Sequence, residues 1–78
     1  MSRPTLYIAR PEDIGPALKD LRLTFDVSQR DHAEAIDMHP SHVGSYERGT
    51  VIPRGDQLLR LLSAHDYVIA FVHRSVMP

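Results

Sequence analysis

At 78 residues the chain has room for one domain with one small core, not for a two-domain enzyme with a cleft between lobes. Nine Lys and Arg against ten Asp and Glu leave a net charge of −1. That argues against a polybasic membrane coat and against indiscriminate nucleic-acid binding, while leaving room for a local basic surface. There is no cysteine, which excludes disulfides, a thiol nucleophile and a Cys-ligated zinc. A domain this small without staples depends on close helix packing or on a partner subunit. The hydrophobic share of 42% is too high for disorder. The N-terminal apolar stretch, Leu6–Ala9, is too short for a secretory signal or a spanning helix, so a soluble, cytoplasmic protein is expected.

Thr5-Leu6-Tyr7-Ile8-Ala9 reads as a short β-strand ended by Arg10-Pro11, within an N-terminal segment 1–10. Ile14, Ala17, Leu18, Leu21 and Phe25 then recur at helical spacing and predict a first helix over about 12–24. Glu12 and Asp13 favour the positive end of its dipole. Ser28 is an N-cap candidate with Asp31 three residues on, opening a second helix that runs to about Ile36 with Ala33 and Ile36 inward. Asp37-Met38-His39 forms a turn. Pro40 opens a third helix with Val43 and Tyr46 inward, and Gly49 stops it. A loop over 50–55 leads to a fourth helix from about Asp56, whose Leu58, Leu59, Leu61 and Leu62 read as core. Tyr67-Val68-Ile69-Ala70-Phe71-Val72 is β-branched and aromatic without polar alternation, so a second strand over 67–74 is expected, with cover on both faces. The helical core is placed at 12–65, and the whole chain 1–78 is one domain.

Two short helices joined by a tight turn fit a helix-turn-helix. In the run from Gln29 to Arg48, a small residue is needed where the helices touch, and Ala33 stands there. The turn position favours a left-handed backbone; Asp37 tolerates it better than most residues. Met38, Val43 and Tyr46 fill the inward positions.

With Ser28-Gln29, Ala33, Val43-Gly44-Ser45-Tyr46-Glu47-Arg48-Gly49, Pro53 and Leu58-Leu59…Leu62 in place, the sequence resembles the lambda-repressor-like (Xre/Cro-type) helix-turn-helix family from about Ile14 to Tyr67. It departs from the family's line at Asp37, where Gly is usual, and at His32, where an apolar residue is usual. The resemblance implies a mainly α fold of four helices, or five, that binds duplex DNA with its third helix in the major groove. Carried over onto this chain, Ser28 caps the second helix, and Gln29 anchors to phosphate or braces a base-reading side chain. His39, Ser41, His42 and Ser45 fall on or near the outward face of the third helix, with the N-terminal ones reaching base edges. Arg48, Thr50 and Arg54 hold backbone phosphates.

The electrostatics limit this expectation. Between Met38 and Arg54 the full charges are Glu47, Arg48 and Arg54, and Asp31, Glu34 and Asp37 lie close by. Few neutralised phosphates mean a shallow salt dependence, so affinity would come from base contacts and from two copies acting together. An unpaired apolar strand is an aggregation hazard. Leu6 and Ile8 at one end, and Tyr67, Val68, Ile69, Phe71 and Val72 at the other, are therefore assigned to a small antiparallel sheet between subunits of a homodimer. Some antitoxin-type members of the family dimerise through such a strand.

The expected function is a dimeric transcriptional regulator, a repressor of phage or toxin–antitoxin type, reading a palindromic operator. The rival reading is a protein-interaction module that keeps the fold but grips a toxin or host protein, with weak or no DNA binding; the acidic residues of the second helix favour it. Glu47 beside Arg48 reads as an ion pair or a brace for the third helix. No catalytic arrangement is credible. His39-x-x-His42, with no ligand set to complete it, reads as solvated or DNA-facing imidazoles, as does His32. No metal, cofactor or membrane partner is expected.

Overall fold

Asp13 organises the start of the helical region. Its carboxylate accepts the backbone N–H groups of Ala9 (3.1 Å) and Arg10 (3.0 Å), and the Ala9 bond above all holds it below its ordinary pKa. A 3-10 turn, Pro11–Asp13, leads into α1, Ile14–Thr24. The sequence places this helix at about residue 12. The α-helix begins two residues later because Pro11 and the Asp13 cap hold a tighter turn there. The computed structural model describes residues 3–77.

α2 spans Gln29–Ala35, and the Ser28 hydroxyl accepts the Asp31 N–H at 3.0 Å, the expected cap. Asp37 then takes a left-handed backbone, φ 54, and the Met38 N–H returns to the Ala33 carbonyl at 2.9 Å. The turn therefore closes without glycine. Arg60, reaching across from the fourth helix, donates to the carbonyls of Ile36 and Asp37. α3 spans Pro40–Arg48 and ends at Gly49, whose φ of 77 suits glycine. α4 spans Gly55–Ser63.

The core is built from Leu18 of α1, Ala33 of α2, Val43 and Tyr46 of α3, and Leu61 of α4. Ile14, Ile36, Met38, Leu58 and Leu62 pack around it. Burying a large apolar side chain of this kind contributes about 1.5–3 kcal/mol. α3 lies against both α1 and α2. At its crossing with α1, a Cβ on Gly15 would stand 2.7 Å from the carbonyl oxygens of Tyr46 and Glu47. That approach needs a residue without a side chain.

Two expectations are corrected, and a third, the terminal strands, is not met within the single chain. Leu59 is half exposed rather than core, because it faces away from Leu58, Leu61 and Leu62 on a helix only one side of which is covered. His32 is buried, not solvated. Its Nε2 donates to the Leu61 carbonyl at 3.0 Å, so the imidazole substitutes for an apolar side chain by joining α2 to α4. Finally, no strand forms among the described residues. Residues 3–9 and 67–73 have no regular structure, and the backbone groups of residues 68–72 make no hydrogen bond. A strand requires a paired ladder, and these two segments meet through a side chain instead: the Tyr67 hydroxyl donates to the Pro4 carbonyl at 2.5 Å. A 3-10 turn, Arg74–Val76, follows. Among the described residues no helix is long and apolar enough to cross a membrane.

Candidate nucleic-acid interface

α3 is two-faced. Val43 and Tyr46 point into the core, which turns Ser41, Ser45 and Arg48 outward at i, i+4 and i+7. Ser41, His42 and Arg48 are exposed, and Ser45 is half-buried. The N-terminus of the helix is capped by His39, whose Nδ1 accepts the Ser41 N–H at 3.1 Å and lies 2.7 Å from the Ser41 hydroxyl. His39 is thus engaged at one ring nitrogen in holding the first turn, not simply presented to solvent as the sequence suggests. His42 shares a shallow cleft with Ser45, Arg54 and the exposed Val51-Ile52 loop.

The angle of α3 is fixed by an ion pair buried beneath it. Arg22 of α1 clasps Glu47 with both arms of its guanidinium: Nε donates to Oε2 at 2.7 Å and Nη2 to Oε1 at 3.0 Å. The remaining arm donates to the Val27 carbonyl at 2.9 Å. The Glu47 side chain is only 3% exposed. Burial pushes its pKa up, but the hydrogen bonds from Arg22 and Gln29 and the Arg22 charge outweigh this and hold it below the ordinary glutamate value. Its hydrogen bond to Glu47 raises Arg22 in turn, against the opposing effect of burial. Glu47 is therefore the expected brace, but its partner is Arg22 rather than Arg48.

Gln29 completes this network by donating from Nε2 to Glu47 Oε1 at 3.1 Å. That leaves its carbonyl oxygen beside Gly44: a Cβ on Gly44 would lie 3.4 Å from it and 3.0 Å from Arg48 Nη1. Arg48 thus folds back along α3 over the glycine, and its Nη2 donates to the Ser45 hydroxyl at 3.4 Å. Of the residues singled out in the sequence, the structure gathers Gln29, Ser45 and Arg48 around Gly44.

The others stand apart from that group. Ser28 is occupied as a cap. Thr50 is exposed beyond the helix end, and Arg54 makes an exposed ion pair with Asp56 at 3.4 Å. Leu6, Ile8, Tyr67, Val68, Ile69 and Phe71 line an apolar groove with α1 and α4, on residues distinct from those of α3. Phe71 is fully exposed and Val72 half exposed.

Arg22 and Gly44 were missed in the sequence. Arg22 lies at i+4 from Leu18, on the apolar face of α1, and a cation at such a position signals a buried acidic partner. Gly44 carries no side chain to mark it, and its environment includes Gln29, 15 positions away. Among the described residues no group of three or more metal-ligating side chains forms.

A helix-turn-helix family model matches residues 18–68, which takes in α2, α3 and α4 and most of α1. No curated protein and no solved structure gives a match.

Proposed function

The chain belongs to the lambda-repressor-like (Xre-type) helix-turn-helix family, a domain type of DNA-binding regulators, and from that premise we propose that it reads a palindromic operator as a dimeric repressor. The observation that carries this reading is the outward-facing strip Ser41–Ser45–Arg48. It is held at a fixed angle by the buried Arg22–Glu47 pair and is free of acidic side chains. Hydroxyls, an imidazole and a guanidinium on one helix face supply donors and acceptors for base edges in a major groove. No cofactor and no catalytic step is needed, since occluding a promoter is enough to repress it.

Two copies are joined through the terminal segments. Val68, Ile69, Phe71 and Val72 expose apolar surface next to backbone groups that have no partner among the described residues, and a two-fold copy satisfies both needs at once. Two α3 helices about 34 Å apart would then meet successive major grooves on one side of the duplex. The same exposed segment favours the second reading, a protein-binding module that grips a toxin or host protein.

Selection from a random duplex pool separates the two. The chain should enrich a palindrome, and the Ser41→Glu/Ser45→Glu variant, with two carboxylates on the outward-facing strip, should enrich nothing while keeping its helical spectrum. No enrichment by the unaltered chain at low salt would overturn the duplex reading and favour a protein partner.

A further inference from the structure

Arg48 differs from the other arginines of the helical region. Arg10 pairs with Glu12 and Asp13, Arg22 with Glu47, Arg30 with Glu34 and Arg54 with Asp56. Arg60 is spent on the carbonyls of Ile36 and Asp37. Arg48 has no carboxylate or carbonyl partner among the described residues; its one hydrogen bond is the long one to Ser45. Nor does it extend from the helix end, where a residue in the last turn of α3 would meet a flanking phosphate. It lies back over the middle of the exposed face, and the missing side chain of Gly44 makes room for it.

The surroundings say what it can do there. Ser41 and Ser45 are short, and Gly44 is buried beneath the Arg48 guanidinium, so the guanidinium lies close to the helix and this face can approach the floor of a groove closely. Arg48 is its only full charge and its only planar, two-pronged donor. Such a fork matches the N7 and O6 acceptors of guanine, whereas a phosphate would be served as well by any cation. We propose that Arg48 reads a guanine in each half-site and that Gly44 is the notch that sets the guanidinium on the base-reading face. This inference rests on the duplex-binding reading above.

The test compares base preference and salt dependence for the unaltered chain, Arg48→Lys, Arg48→Ala and Gly44→Ala, each used in selection from the same random duplex pool. Lysine keeps the charge but loses the fork. Arg48→Lys is expected to lose the preference at one G·C pair per half-site, about 10- to 100-fold in discrimination, while the other enriched positions persist. Gly44→Ala, whose methyl would displace Nη1, should relax the same pair. If Arg48→Lys keeps the full motif, and Arg48→Ala weakens all sequences alike with a salt slope lower by about 1, Arg48 holds a phosphate and the proposal is overturned. If Gly44→Ala leaves the preference intact, the notch is overturned. Failure of the unaltered chain to enrich any motif would sink the duplex reading itself, a result distinct from either.

Discussion

The Arg22–Glu47 pair shows how one buried contact sets the geometry of a surface. Both side chains are largely removed from water, at 11% and 3% exposure, so their value lies in mutual satisfaction. Removing one partner of such a pair leaves a buried charge and costs about 3–5 kcal/mol. Glu47→Ala should therefore lower the urea midpoint strongly. Arg22→Met/Glu47→Leu should recover part of the loss, because it leaves no buried charge, while the Gln29 amide and the Val27 carbonyl lose their partners. A double variant no better than the single would mean that the pair is not the source of the penalty.

A half-buried group gives a pH dependence. The His65 ring stacks on Phe25 (centroids 4.7 Å apart) and lies 5.0 Å from the His32 ring. Burial first, and His32 second, lower its pKa, against an opposing effect of Asp66. The unfolded chain then binds the proton more readily than the folded one, so the stabilisation is whole above the ordinary histidine value of about 6.5 and is lost as pH falls below it. Glu47, also lowered, adds a second loss at more acid pH, as pH falls from the ordinary carboxylate range through its folded value. The melting temperature should drop between pH 7 and pH 5, and less so in His65→Phe. An equal drop in both would assign the effect elsewhere.

At the scale of elements, the signals carried by single residues were legible. Ser28 caps, Pro40 starts, Gly49 stops, and Asp37 turns left-handed in place of glycine. These are local demands of backbone geometry, and the residues that meet them can be read in place. Contacts between residues far apart in the chain were not legible. Arg22 and Glu47 are 25 positions apart, and His32 and Leu61 are 29, so neither pairing leaves a local trace. Gly15 belongs to the same class: it is where α1 crosses the backbone of α3, a contact 31 positions away in the chain. Gly15→Ala would push a methyl into two carbonyl oxygens at 2.7 Å. It should cost about 1–3 kcal/mol, against the gain that alanine normally brings to a helix. A stabilised variant in thermal melts would show that the crossing has slack.

For the whole molecule, the helical core is readable because its apolar periodicity is strong, while the terminal segments form no strand within the single chain among the described residues. Their composition is that of strands, but composition cannot supply the second edge a strand needs. The exposed Val68, Ile69, Phe71 and Val72 make self-association the expected remedy. Ile69→Asp/Phe71→Asp should sediment as a monomer with an intact helical spectrum, whereas the unaltered chain should sediment as a dimer. Two monomers in that comparison would leave the arms to another partner. The most direct measurement is amide chemical-shift mapping of the chain as it is titrated with duplex DNA. An α3 that reads DNA predicts shifts concentrated at Gln29 and from Ser41 to Arg48, with residues 68–72 unmoved. Shifts confined to the terminal segments, or none at low salt, would contradict it.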